Sequence, residues 1–233
     1  MKKYIPGETK AQRKVRKNLN KNPNTTKQTT VETVKTVTNQ HNIAFVIGNG
    51  TSRNPISLES LRPLGEIYGC NAVYRDFMPD HLVAVDTKMV LEINKAGIQH
   101  RVPTWTNPNR AYNEMTGFNF FQPSKGWSSG PTALWLASDT TKYDTIYILG
   151  FDYEGTGTLV NNIYAGTQNY KAPTEKATYY GNWLKQTIIT CQNNPEKRYI
   201  RVVGDSFITP PELLKLENIE NMYVKDFKNS FNI

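Results

Sequence analysis

The chain has 233 residues, a formal net charge of +8 and a hydrophobic fraction of 38%. No stretch approaches the roughly 18 consecutive apolar residues of a membrane-spanning helix, and no apolar signal-peptide core follows the charged start, so a soluble, cytoplasmic protein is expected. Two distant cysteines, Cys70 and Cys191, predict buried reduced thiols, and three histidines without ligand spacing predict no metal site.

The N-terminal arm, residues 1–40, carries the whole basic excess of the chain. It has eight Lys and two Arg against Glu8 and Glu32, whereas the other residues balance at 18 basic and 18 acidic side chains. The arm has few large apolar residues, so burial cannot offset the entropy of ordering it. We expect a flexible arm that docks on an acidic partner, such as nucleic acid, an anionic surface or a large assembly, or that has no specific partner.

Residues 41–205 alternate short apolar runs with helical stretches, which predicts an α/β, Rossmann-like domain with a mostly parallel sheet and helices on both faces. The predicted strands are 43–47, 67–72, 82–85, about 101–104, 145–149 and 199–203. The predicted helices are 57–64, 87–96, 130–138 and 174–191. Residues 206–233 are predicted to form a tail that packs on this domain, with Pro210 and Pro211 opening a short helix.

The first predicted strand runs directly into the turn Gly48-Asn49-Gly50-Thr51-Ser52. Glycines allow a tight turn and close approach of a ligand, and open α/β sheets bind nucleotides at such a place. Arg53 replaces the third small residue of the dinucleotide fingerprint, and no Lys stands at a P-loop position. The turn is therefore a candidate ligand site, and a turn that serves packing only is the alternative.

Polar residues also follow other predicted strands. Asn71 follows the second, Asp86 the third and Asp152 the fifth. The carboxyl ends of parallel strands meet at one edge, so these residues are expected to converge. Ser128, Ser129 and Gly130 open a strongly apolar helix, and a helix N-terminus with free N–H groups and hydroxyls suits a phosphate. An ordinary serine N-cap is the alternative there.

This order of motifs resembles the bacterial sialyltransferases that use CMP-sialic acid and, more loosely, the wider group of Rossmann-like proteins related to them. The resemblance covers residues 43–190. It implies metal-independent transfer of a sugar from a nucleotide-sugar donor, with no further cofactor. The family's nucleotide-sugar motifs I-A-G-N-G-P-S, C-N-x-F-Y and T-S-G match Asn49, Gly50 and Ser52, then Asn71 and Tyr74, then Ser128, Ser129 and Gly130.

The resemblance also implies a role for each part of the site. The phosphate would be held by the turn Gly48 to Ser52, which includes Thr51, and by Ser128, Ser129 and Gly130. Asn71 and Asp86 would contact the base or the ribose.

The chain departs from the family at the catalytic base. The family's histidine motif H-Y-x-G-H aligns with residues 178–182, which contain no histidine. A general base contributes typically 10²- to 10⁴-fold in rate. Asp86, Asp152 and Glu154 are candidate replacements by position, and Glu154 stands where the family has an active-site tyrosine. Tyr179 and Tyr180 are candidate hydrogen-bond donors to the leaving phosphate.

Two other functions stay open from the sequence. One is a noncatalytic protein that keeps the nucleotide fold and docks through its arm on a nucleic acid or a virion, and the absent histidine and the segregated charge favour it. The other is a nucleotide-modifying or pterin-phosphorylating enzyme. That enzyme would need metal-binding carboxylates, for which Asp152 and Glu154 are the candidates.

Overall fold

Eight parallel strands form one sheet in the part of the chain that the computed structural model describes, residues 42–154 and 159–233. The arm at 1–40 lies outside these described residues. The spatial order of the strands is β5-β4-β3-β2-β1-β6-β7-β8, and each adjacent pair is parallel. Their bounds are β1 Ile43–Ile47, β2 Glu66–Cys70, β3 His81–Val83, β4 Thr104–Thr106, β5 Phe118–Phe120, β6 Thr145–Leu149, β7 Arg198–Val203 and β8 Ile219–Tyr223.

Among the described residues, four α-helices cover the two faces of the sheet, as the α/β, Rossmann-like prediction requires. They are α1 Thr87–Ala96, α2 Ser129–Ser138, α3 Gly181–Asn193 and α4 Val224–Phe231. Helices α1 and α4 contribute to the core on one face, and α2 and α3 to the core on the other. The predicted fold class is therefore confirmed.

The central strand β1 alternates its side chains between these two cores. Phe45 packs on the first face, where its ring stacks on Tyr147 at 5.5 Å between centroids and meets Phe227 edge-on at 6.2 Å. Val46 packs on the second face, and all five residues of β1 are buried. Full burial of such a side chain contributes about 1.5–3 kcal/mol to the stability of the fold. A short, continuous apolar run therefore predicts a strand that is covered on both faces.

The helical predictions differ from the structure in two places. Helix α1 has its predicted bounds, but the helix predicted at 57–64 is a single 3₁₀ turn, Leu58–Leu61. The helix predicted at 174–191 begins only at Gly181. Glu175 and Lys176, which precede this helix, pair with the segment at 159–160 instead. Val160 N–H donates to Glu175 O at 3.1 Å, and Leu159 forms a β-bridge with Lys176.

The chain after residue 205 also differs from its prediction. Residues 206–233, predicted as a tail packed over the domain, supply the edge strand β8 and helix α4 to the same sheet. Strand β8 pairs with β7 from Tyr199↔Ile219 to Val203↔Tyr223. Phe227 of α4 is fully buried, so this segment is part of the core.

The two cysteines are buried free thiols, as predicted. Burial raises the pKa of Cys70 and of Cys191 to about 12, so both stay protonated at neutral pH. Within the described residues, none of the helices has the length and apolar character needed to cross a membrane.

Candidate functional site

The order in which the chain adds strands to the sheet reverses between β1 and β6. The chain builds β2 to β5 on one side of β1 and then returns to place β6, β7 and β8 on the other side. In open α/β sheets, ligands bind outside the carboxyl ends of the strands at such a switch point. The loops after β1 and β6 meet there: Gly48 N–H donates to Leu149 O at 2.7 Å, and Gly50 N–H donates to Gly150 O at 2.9 Å.

A pocket of about 350 Å³, here called the switch-point pocket, lies at this edge. Its size falls within the roughly 300–1,000 Å³ of small-molecule sites. It brings together residues from five separate chain segments that the sequence singled out. These are Gly48, Asn49, Gly50, Asn71, Asp86, Ser128, Ser129, Gly130, Asp152 and Glu154.

The glycines of the first turn are required by packing between the two loops. A Cβ on Gly50 would lie 2.5 Å from Asp152 Oδ2 and 2.7 Å from Gly150 O. A Cβ on Gly48 would lie 2.5 Å from the same Gly150 O. Packing against the opposite loop, the alternative raised from the sequence, therefore suffices to require glycine at both positions, and both residues also line the pocket.

Thr51 and Ser52 were predicted to hold phosphate, but their donors already have protein partners. Ser52 N–H donates to Asp152 Oδ2 at 3.1 Å, and its hydroxyl donates to Asp152 Oδ1. Thr51 donates to Asn161 Oδ1 from its N–H at 3.0 Å and from its hydroxyl at 2.6 Å. Neither residue lines the switch-point pocket.

The same contacts occupy the Asp152 carboxylate. Asp152 is only 9% exposed, and Asn161 Nδ2 donates to its Oδ2 at 2.9 Å, alongside the two bonds from Ser52. A carboxylate that accepts three hydrogen bonds is held in one orientation. Asp152 thus joins the loops after β1 and β6, and these contacts argue against its prediction as a general base.

Arg53 holds the backbone of the turn that follows β1. Its buried guanidinium donates from Nε to Gly48 O at 2.8 Å and from Nη2 to the hydroxyl of Tyr164 at 3.3 Å. The sequence showed Arg53 only as a departure from the dinucleotide fingerprint. The structure shows that it fixes the backbone of the first glycine.

The N-terminus of α2 forms one wall of the pocket. Ser128 is its N-cap residue, its side chain makes no capping hydrogen bond, and Ser128, Ser129 and Gly130 line the cavity. The first N–H groups of a helix have no intrahelical acceptor, and the helix dipole places about half a positive charge there. Ser129 Oγ accepts from Val85 N at 3.0 Å, which fixes the helix start against the end of β3. This wall suits an anion.

Two unpartnered acceptors line the same pocket. Asn49 is only 8% exposed; its Nδ2 donates to the Tyr170 hydroxyl at 3.2 Å, but its Oδ1 has no partner among the described residues. Asn71 lies in the left-handed region at φ 52°, and its Oδ1 is likewise buried without a described partner. Leaving a buried acceptor unpaired costs about 1–3 kcal/mol, so the pocket favours a ligand with N–H or O–H donors.

Two carboxyl groups in the pocket have perturbed acidities. Burial raises the pKa of Asp86 at the end of β3. Burial also raises the pKa of Glu154, helped by the negative charge of Asp152 and opposed by the positive charge of Arg201. Carboxyl groups shifted in this way cluster at functional sites.

The two predicted tyrosines lie outside the pocket lining. Tyr179 is 80% exposed, and its ring lies 5.6 Å from that of Tyr180, just before α3. Thr178 and Trp183, on either side of them, do line the pocket. The structure therefore places Tyr179 and Tyr180 next to the site rather than in it.

The sequence analysis missed Asn161, Asn162 and Trp183, all of which line the pocket. The asparagines belong to a long polar loop, and the tryptophan lies in the first turn of α3. None of these residues belongs to a motif, so no sequence signal separated them from their neighbours.

Comparison with known proteins adds no further assignment. No protein-family model, curated protein or solved structure matches this chain. The resemblance to sialyltransferases accordingly stays a prediction from motifs, and the case for a function depends on the geometry of the site.

Proposed function

We propose that the protein binds a nucleotide sugar in the switch-point pocket and transfers the sugar without a metal ion. One observation carries the proposal: the N-terminus of α2 and the buried side-chain Oδ1 of Asn49, which has no partner among the described residues, line the same cavity. The helix end favours an anion, and the carbonyl favours a donor. A nucleotide offers both groups in one molecule.

The cavity also has room for a nucleoside. A second cavity of about 320 Å³ adjoins the switch-point pocket and shares Asn71 and Asp86 with it. An acidic residue at a strand end is a suitable acceptor for ribose hydroxyls. We place the nucleoside across Asn71 and Asp86, with its phosphate at Ser128 and Gly130.

The transfer chemistry follows from this placement. A sugar phosphate bond breaks more easily when fixed donors stabilise the negative charge that develops on the leaving oxygen. The N–H groups at the start of α2 and the Ser128 hydroxyl supply such donors. The helix end therefore stabilises the leaving nucleotide without requiring a cation.

A noncatalytic nucleotide-binding protein is the second candidate. Two observations favour it: Asp152 is fully engaged by Ser52 and Asn161, and no histidine appears among the described residues that line the pocket. In this alternative, the same pocket binds the nucleotide without turnover. The basic arm then provides attachment to an acidic assembly.

Thermal unfolding with CMP, UDP, GDP and ATP, each with and without Mg²⁺, tests the proposal. A nucleotide present at 100 times its dissociation constant should raise the free energy of unfolding by about 2.7 kcal/mol. Stabilisation by none of them at millimolar concentration would overturn the proposal. Hydrolysis or transfer of the matching nucleotide sugar then supports the enzyme, and binding without turnover supports the alternative.

A further inference from the structure

A second groove opens beside the switch-point pocket, beyond the ends of β1 and β7. Its volume is about 460 Å³, and it shares Asp152, Glu154 and Asn161 with the switch-point pocket. The two cavities therefore meet at the loop after β6. We call the second cavity the side groove; its own lining includes Thr51, Asn54, Ser206 and Phe207.

Of the two carboxylates at this junction, Glu154 is the one available for chemistry. Asp152 is held by three hydrogen bonds from Ser52 and Asn161. Glu154 is only partly buried and lines both cavities. Burial and, next, the neighbouring charge of Asp152 raise the pKa of Glu154 against the opposing charge of Arg201, which makes its carboxylate a better proton acceptor.

Arg201 holds the loop that carries these carboxylates. Its fully buried guanidinium donates to three backbone carbonyls, those of Phe151 at 2.8 Å, Asp152 at 3.0 Å and Ile208 at 3.0 Å. Its charge acts on Glu154, but its hydrogen bonds go to the backbone. Arg201 is therefore a positioning residue, and it does not mark an anion site in the side groove.

The remaining chemistry of the side groove indicates an uncharged polar ligand. Thr51, Asn54 and Ser206 offer hydroxyl and amide groups, and Phe207 offers an aromatic ring that packs edge-on against Tyr223 at 5.6 Å. The two carboxylates at the junction disfavour an anionic ligand here because, unlike the switch-point pocket, the side groove has no α-helix N-terminus in its described lining to offset them. A carbohydrate combines hydroxyl groups with an apolar ring face, so it fits this lining.

We propose that the side groove binds a neutral carbohydrate acceptor and that Glu154 accepts the proton of its attacking hydroxyl. This inference rests on the proposed function, because the donor must occupy the switch-point pocket. The hydroxyl oxygen bonds to the anomeric carbon of the donor sugar, and the bond from that carbon to the phosphate oxygen breaks. The electron pair leaves with the nucleotide phosphate at the start of α2, and the proton passes to Glu154 and then to water.

Two variants of the full chain test the two parts of this inference. Ser206→Trp fills the side groove from an exposed position with no described side-chain partner. Its matched control is Thr141→Trp, at an exposed site before the amino end of β6. Glu154→Gln removes the proton acceptor with little change in shape, and the exposed Glu212→Gln is its control.

Carbohydrate binding is measured by saturation-transfer NMR with lactose and with maltose, in the presence and absence of CMP. We expect a signal with the wild type and with Thr141→Trp, and loss of that signal with Ser206→Trp. Stabilisation by CMP should be the same in all three proteins. Failure of all four nucleotides, CMP, UDP, GDP and ATP, to stabilise the wild type would count against the nucleotide site, whereas loss of the sugar signal alone concerns the side groove.

Turnover is measured with a nucleotide sugar and the same disaccharides. Glu154→Gln should lower the transfer rate 10²- to 10⁴-fold without weakening CMP binding, and it should remove the acidic limb of the pH–rate profile. Glu212→Gln should behave as the wild type. The inference is overturned if neither disaccharide binds the wild type, if Ser206→Trp binds them equally well, or if Glu154→Gln transfers at the wild-type rate.

Discussion

Ser52 donates to the carboxylate of Asp152 from both its backbone N–H and its hydroxyl, across 100 residues of sequence. This pair joins the turn after β1 to the loop after β6, at the point where the strand order reverses. Asp152, which the sequence suggested as a catalytic group, thus links the two loops that form the site. Replacing Asp152 is therefore expected to lower the free energy of unfolding.

Asp152→Asn is therefore expected to destabilise the fold. The amide carbonyl can take the Oδ2 position and the Ser52 hydroxyl can turn to accept from the amide nitrogen, so the cost is the loss of the charge-assisted hydrogen bonds to the carboxylate, about 1 kcal/mol. Urea unfolding at neutral pH measures this change, with the exposed Asp205→Asn as control. Unchanged stability together with a loss of transfer activity would instead identify Asp152 as a base.

Gly50→Ala tests the packing between the same two loops. The added Cβ would lie 2.5 Å from Asp152 Oδ2 and close to the Gly150 backbone, so one loop must move. Overpacking of this kind costs about 1–3 kcal/mol. Gly204→Ala is the control, because its nearest neighbouring atom would be 3.9 Å away. Equal unfolding midpoints for the two variants would contradict this account of the turn.

Glu92 of α1 is at the centre of a hydrogen-bond network that reaches Asn49 of the pocket through the segment of Asn169 and Tyr170. It accepts from Tyr74, Arg75 and Asn169, and the adjacent Tyr170 contacts Asn49 and the Ala72 N–H. Burial alone would raise the pKa of Glu92, but the hydrogen bonds from Tyr74 and Arg75 and the arginine charge outweigh it and hold that pKa below its ordinary value.

The lowered pKa sets the pH dependence of a Glu92→Gln variant. A carboxyl group with a lowered folded-state pKa stabilises the fold above its unfolded pKa, and this contribution is lost as the pH falls through the folded value. We expect Glu92→Gln to cost about 1–3 kcal/mol at pH 7 and progressively less below about pH 4.5. Urea unfolding of both proteins from pH 7 to pH 3 measures this, with the exposed Glu114→Gln as control. A difference in unfolding free energy between wild type and Glu92→Gln that does not change with pH would count against the network.

The basic arm makes a prediction that concerns the full chain. All of the net charge lies in residues 1–40, so their removal should abolish binding to DNA or RNA and leave nucleotide binding intact. Binding of the full chain to duplex DNA should weaken with salt, with a log–log slope of about 0.9 for each phosphate contact. Titration of fluorescent DNA at several salt concentrations measures this. Equal DNA binding by the truncated protein would show that the arm is not the anchor.

The sequence predicted best the elements that are defined by their own residues. The five buried residues of β1 and the period of α1, ended by Gly97 at φ 67°, are local signals. Strand β8 was missed because its residues I-E-N-M-Y are largely exposed and its pairing depends on β7. Strand β5, with three residues at the opposite edge, was missed for the same reason.

The site divides in the same way. The helix start at Ser128 is a local pattern, and the structure places it in the pocket. The role of Asp152 depends on Ser52, and the exposure of Glu154 to two cavities depends on how the loop after β6 folds back. Such relationships between distant residues leave no trace in local spacing.

Ser128→Asp tests the central claim, that the start of α2 is a phosphate site, more directly than any other change. Aspartate is as good an N-cap residue as serine and interacts favourably with the helix dipole, so the unliganded fold should stay as stable as the wild type. Its charge, however, occupies the proposed phosphate position. The control is Thr141→Asp, which adds the same charge at an exposed site before the amino end of β6.

The measurement is calorimetric titration of CMP, UDP, GDP and ATP into the wild type and the two variants. The account predicts that the nucleotide that binds the wild type binds Thr141→Asp with the same affinity and Ser128→Asp at least about tenfold more weakly, a loss of about 1.4 kcal/mol. Equal affinity of the wild type and Ser128→Asp, or no binding of any nucleotide to the wild type, would contradict it.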